Sequence, residues 1–159
     1  MNRLLIVLLM LASLMLAQTV PNTPGAQPAA PDYSGMYAFL QEGEFVQLTV
    51  EDNGSVTGFV SRYSDAGGNH KTFVDHFFKQ GRLDGTKLTF TTEIAENTSY
   101  EFKGTIERGE GKKPGDEAYY LLKGTLTQYK IESDKKTTPK AQPVELKSFP
   151  QDADADTPK

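Results

Sequence analysis

The sequence predicts an all-β protein, an up-and-down antiparallel β-barrel of seven or eight strands. Three observations predict it. Apolar and polar residues alternate through the middle of the chain, turn residues separate the alternating runs, and a glycine falls mid-strand every 20 to 23 residues. Alternation marks a strand with one face in a core and one in water. Short turns between such strands enforce sequential antiparallel pairing, because parallel neighbours need long crossovers.

The length, 159 residues, suits one domain. Met1-Asn2-Arg3 followed by the uncharged run Leu4 to Leu16 reads as a secretory signal peptide over residues 1–17, with Ala17 at the cleavage site. The run is shorter than the ~20 apolar residues of a membrane-spanning helix. A secreted or periplasmic location is therefore expected, with no membrane insertion after cleavage. Residues 18–32 carry Pro21, Pro24, Pro28 and Pro31 and read as an extended linker. The barrel domain is placed at 33–133. Residues 134–159 read as a polar tail in which 144–149 form a possible extra strand.

Within the domain, strands are expected at 34–40, 44–51, 55–63, 72–83, 86–94, 98–108 and 117–131. Tyr100, Phe102, Gly104 and Ile106 alternate with Glu101, Lys103, Thr105 and Glu107; Tyr120, Leu122, Gly124 and Leu126 alternate with Leu121, Lys123, Thr125 and Thr127. Asp52-Asn53-Gly54 suits a three-residue hairpin loop that pairs Val50 with Val56, Leu48 with Gly58 and Val46 with Val60, collecting the valines on one face. Asp84-Gly85 suits a two-residue turn, which would set Gly81 opposite Leu88.

The recurrent glycines are Gly58, Gly81, Gly104 and Gly124. Glycine weakens a strand, so its recurrence marks bends or close backbone approach, as a small coiled barrel needs. An outer-membrane barrel is excluded, because Glu101, Lys103, Glu107 and Lys123 would face lipid, where each Lys at mid-depth costs roughly 2–4 kcal/mol. In strand number and glycine punctuation, though in no binding motif, the chain resembles the calycin architecture of lipocalins and avidin-like proteins. Ser34-Gly35-Met36-Tyr37 carries tyrosine where lipocalins have the tryptophan of Gly-x-Trp, and the chain has none of the tryptophans of biotin sites.

Composition narrows the chemistry. The chain has 17 basic and 21 acidic residues, net charge −4 and no cysteine. That excludes disulfides, thiolate metal sites and a cysteine nucleophile, and disfavours nucleic-acid binding, which needs excess Lys and Arg. The only two histidines fall in the densest polar run, 61–82. A metal site of His70, His76 and Asp65 lacks ligand spacing. A Ser61–His76–Asp75 hydrolase fails because adjacent strand residues face opposite ways, so Asp75 cannot orient His76. Gly109 to Glu117 lacks the Gly-Lys-Ser/Thr ending of a phosphate loop. Asp152 to Asp156 lacks the glycine and glutamate of an EF-hand. Asn53 and Asn97 sit in glycosylation sequons that turns explain equally well. No cofactor motif and no metal site is found.

Strict alternation along 72–83 puts Asp75, Phe77, Lys79, Gly81 and Leu83 on one face and His76, Phe78 and Arg82 on the other. With Gly81 and Leu83 inside, Asp75 and Lys79 point into the barrel or its mouth and His76 lies outside. The sequence thus predicts a non-enzymatic barrel that binds a small, partly apolar ligand through Arg62, Asp75, His76, Phe78 and Lys79. The alternative is a module that docks a protein or cell-surface polymer through an outer aromatic patch including Phe78, Phe59 or Tyr119. A hydrolase built on 61–82 is the third reading.

Overall fold

The computed structural model describes residues 31–64 and 72–151. The expected signal peptide, nearly all of the expected Pro-rich linker, the Gly67-Gly68 stretch with His70, and the Asp152–Asp156 run lie outside them. Eight antiparallel strands follow one another in space in chain order. They are β1 (Gly35–Ala38), β2 (Phe45–Val50), β3 (Val56–Tyr63), β4 (Phe73–Asp84), β5 (Lys87–Thr92), β6 (Thr98–Arg108), β7 (Tyr120–Ile131) and β8 (Thr137–Lys147). The sheet closes on itself where Tyr37 bridges Ser148 and the Phe149 amide donates to the Met36 carbonyl at 2.8 Å. This is the expected up-and-down barrel.

The first hairpin has the register that the valines demand: Val50↔Val56, Leu48↔Gly58 and Val46↔Val60, with Gly54 left-handed at φ 77°. The second differs. Its turn is Gly85-Thr86 and its register Leu83↔Leu88 and Gly81↔Phe90, not Gly81 opposite Leu88. The shift by one pair leaves Leu83, Leu88 and Phe90 on the same face as the expected register would, and sets Leu83 directly opposite Leu88.

The larger correction lies in β4. Phe78 pairs with Thr92 but Gln80 with Thr91, so Lys79 is an extra residue in a β-bulge. A bulge breaks the period of two. His76 and Phe78 before it, and Gly81 and Leu83 after it, therefore all face inward. Asp75 and Lys79 are exposed. Alternation alone could not show this.

The segment read as a polar tail holds β8, longer than the expected 144–149 and paired with β7 from Leu121 to Ile131, so the barrel extends beyond residue 133. Its first half has no strand on its outer side among the described residues. Pro139 lies opposite Tyr129 and Pro143 opposite Thr125. Proline has no N–H to give β7, so residues of that parity turn their backbone groups outward, and two of them offer no donor. Such an edge resists added strands.

The core comprises Val46, Leu48, Val56, Val60, Leu88, Phe90, Phe102, Leu122, Leu126 and Leu146 with their neighbours. Phe78, Phe90 and Phe102 stack through its centre at 4.3 and 5.3 Å. Gly104 faces Gly124 across β6 and β7, and a Cβ on either would collide with the opposite strand's carbonyl. The outer face is charged, with Lys103 2.7 Å from Glu101 and Lys123 bridging Glu107 and Glu145 at 3.5 and 3.3 Å.

Candidate functional site

One end of the barrel gathers the ends of β3 and β5 and the starts of β4 and β6. Pairing Val60 with His76 and Arg62 with Val74 sets Arg62 and His76 on the same interior face, because Val60 itself is buried there. Tyr100 enters from β6. The Arg62 Nη1–H donates to the Tyr100 hydroxyl at 2.9 Å. The His76 ring meets the Tyr100 ring edge-on at 5.1 Å and 82°. Phe39, from the β1–β2 loop, packs against the same tyrosine at 5.5 Å and 87°. The Tyr100 amide donates to Thr92 Oγ1 at 2.9 Å.

His76 is 1% exposed. Burial lowers its pKa, and the Arg62 charge lowers it further; a hydrogen bond to the Thr98 backbone carbonyl opposes both. The ring is therefore neutral near pH 7, with Nε2–H donating to Thr98. That tautomer leaves Nδ1 as an acceptor. Nδ1 is buried and has no hydrogen-bond partner among the described residues, an omission that ordinarily costs about 1–3 kcal/mol.

Glu44, 2% exposed, organises the rim. Its Oε1 accepts the Tyr63 amide at 3.0 Å and its Oε2 the Gln41 amide at 3.2 Å, tying the β1–β2 loop to the end of β3. Ser64 Oγ donates to the Glu96 carboxylate at 2.7 Å, joining the end of β3 to the β5–β6 loop.

Of the residues singled out from sequence, Arg62 and His76 meet here, and Phe78 lies beneath them in the aromatic stack. Asp75 and Lys79 do not, because the bulge turns them outward. Ser61 lies opposite Asp75, on the face away from His76, so the three form no triad. Asp65 and His70 are outside the described residues. Sequence reading missed Tyr100 and Glu44. Tyr100 looked like one more core position in a regular alternation, and nothing in Gln41-Glu42-Gly43-Glu44 distinguishes the buried acid from its exposed neighbour.

Outside, an aromatic row crosses β2 to β4: Phe45 to Phe59 at 5.8 Å, and Phe59 to Phe77 at 5.6 Å. Phe77 is 58% exposed and Phe73 47%. Phe78, expected in such a patch, is inside.

Neither a protein-family profile nor a curated protein matches the sequence. Solved structures do resemble it. A rhizavidin–biotin complex aligns at TM-score 0.51 and 13% identity, over 74% of this chain and 92% of that one. Apo short afifavidin aligns at 0.51 and 17%, over 77% and 97%. Intact apo afifavidin aligns at 0.51 and 19%, over 81% and 89%. The chain has an avidin-like barrel fold. At these identities the likeness concerns the fold alone, and fold does not carry function. The avidin-like barrel here presents a histidine, an arginine and a tyrosine at its loop end, and no tryptophan stands anywhere in the chain.

Proposed function

We propose that this avidin-like barrel is an exported, non-enzymatic protein that binds a small, partly apolar molecule at the end holding Arg62, His76 and Tyr100. The observation that carries the reading is the buried Nδ1 of His76, which has no hydrogen-bond partner among the described residues. A ligand N–H or O–H donor would satisfy it, the Arg62 guanidinium would orient an acceptor or carboxylate, and Phe39 and Phe78 supply apolar surface. The biotin of the rhizavidin complex lends the idea of a small-molecule ligand on this fold, not the identity of that ligand. Export is supported by Arg3 and the Leu4–Leu16 run alone.

Native mass spectrometry of protein purified from its own host tests the binding reading. A co-purifying small molecule, lost in His76→Phe, is the expected result. An unliganded mass, with no thermal stabilisation by any member of a small-molecule panel that includes biotin, overturns it.

The exposed Phe73 and Phe77 favour a second reading, docking of a protein or surface polymer on the outer row. Phe77→Ser should then abolish capture of the partner while leaving the melting temperature nearly unchanged; retained capture removes that reading.

A further inference from the structure

The opposite end of the barrel holds a cavity unrelated to that site. It has a volume of about 160 Å³ and is enclosed by three segments: Asp32 to Tyr37, Pro114 to Tyr120, and Ser148 to Gln151. Backbone hydrogen bonds fix these segments to one another. The Ala118 amide donates to Ser148, the Ser148 amide to Tyr120, and the Gln151 amide to Gly115, each at 2.9 Å. The walls are therefore set before any ligand arrives, which lowers the ordering cost of binding.

Two kinds of group converge there. Tyr120 packs edge-on against Tyr119 at 4.6 Å and against Tyr33 at 4.9 Å, and Tyr37, Tyr119 and Tyr120 all line the cavity. Among the described residues, Asp32 and Asp116 are the charged groups of the lining, with no Lys or Arg. Each carboxylate uses one oxygen on backbone amides: Asp32 Oδ1 accepts from Ser34 at 2.9 Å, and Asp116 Oδ2 accepts from Lys112 and Lys113 at 2.9 and 3.1 Å. The nearby cations lie outside the lining: Lys112 and Lys113, whose charges reach Asp116, and Arg108. Arg108 lies 3.3 Å over the Tyr119 ring and donates to the Tyr119 and Gly111 carbonyls, each at 3.1 Å. That contact shows the same tyrosine ring accepting a cation.

We propose that this cavity binds the ammonium group of a small organic amine, held by the Tyr119–Tyr120 corner and the Asp32 and Asp116 carboxylates. Size agrees: pockets for drug-sized molecules run to about 300–1,000 Å³, and this one admits a head group of a few heavy atoms. The local field agrees. Burial chiefly disfavours ionisation of Tyr37 and Tyr120; the charge of Asp32 adds to it at both, and that of Arg108 opposes it at Tyr120, and of these only the Asp32 charge favours a cation. Rings and carboxylates around one small space form the recognition chemistry of ammonium ligands.

The test is a titration of the full domain with choline, followed by amide NMR, beside 3,3-dimethyl-1-butanol, which replaces the charged nitrogen with carbon. Sodium chloride at matched ionic strength is the control. Saturable shifts at Gly115, Tyr119 and Tyr120 with choline are expected, at least tenfold weaker with the alcohol. Asp32→Asn, which keeps an acceptor for Ser34, should weaken choline at least tenfold with an otherwise unchanged spectrum. Equal response to both compounds, non-saturating shifts like those of salt, or undiminished binding by Asp32→Asn overturns the proposal.

Discussion

His76 and Gly81 face the same interior although they stand five positions apart, an odd number. In an unbroken strand they would lie on opposite faces. The bulge at Lys79 reconciles them: Phe78 pairs with Thr92 and Gln80 with the next residue, Thr91. It lets one strand serve two parts of the barrel, a polar constellation at the loop end and an apolar floor around Leu83 at the other.

Deleting Lys79 should therefore be severe. Regular pairing would either turn Gly81 and Leu83 outward or pull Asp75 and Phe77 inward, burying an unpaired carboxylate. Loss of cooperative unfolding, or of more than about 3 kcal/mol in urea titration, is expected. Lys79→Ala, which keeps the residue count, should stay within roughly 0.5 kcal/mol. A deletion variant as stable as the alanine variant would show that the bulge does not set the register.

The paired glycines make a second prediction. Gly104→Val or Gly124→Val should cost roughly 1–3 kcal/mol or more, because the new side chain meets the facing strand's carbonyl. A charged-loop glycine such as Gly111 is no neutral control, since a Cβ there would lie 2.7 Å from Tyr119 Cα. Gly85→Asn serves instead. Gly85 has φ 60° with nothing within 4 Å of a Cβ, and asparagine tolerates that conformation. Equal melting shifts at positions 85 and 104 would remove the close-approach argument.

How far the sequence could be read follows from these same residues. Alternation and turn chemistry suffice for the barrel, the first hairpin and the inward glycines, because each is a local pattern. Arg62 and His76 could be brought together because their strands are neighbours. The bulge leaves no local mark, since Phe-Phe-Lys-Gln alternates no better in one phase than the other, and with it went the orientation of Asp75, His76, Phe78 and Lys79. β8 was mostly missed because Thr137 to Gln142 is a polar edge whose pairing depends on β7. Tyr100 joins the site through Arg62, 38 positions earlier, and through the rings of His76 and Phe39, contacts that no local pattern marks.

Glu44 should prove structural at the rim. Glu44→Ala leaves the Tyr63 and Gln41 amides without their acceptor, a loss of about 1–3 kcal/mol. Amide exchange at Tyr63 should accelerate more than at Val60, deep in the same strand. Glu44→Gln, which keeps one acceptor oxygen, should recover part of the stability. If alanine exchanges no faster than wild type at Tyr63, the rim is held by other contacts.

His76 predicts the pH dependence of stability. Its folded-state pKa lies below the ordinary value of about 6.5, chiefly through burial and then through Arg62. Between those two values the unfolded chain carries a proton at this site and the native chain does not, so unfolding takes up a proton. Stability is therefore complete above about pH 7 and falls as pH drops from about 6.5 toward the folded-state pKa, by at most about 1.4 kcal/mol per pH unit for one proton. Urea titrations between pH 5 and 7, above most carboxylate titration, isolate the effect. His76→Phe should flatten the slope while lowering stability at neutral pH, since the Thr98 carbonyl loses its donor. A slope that survives His76→Phe would mean that the titrating group lies elsewhere and that the His76 ring is not held neutral in the barrel.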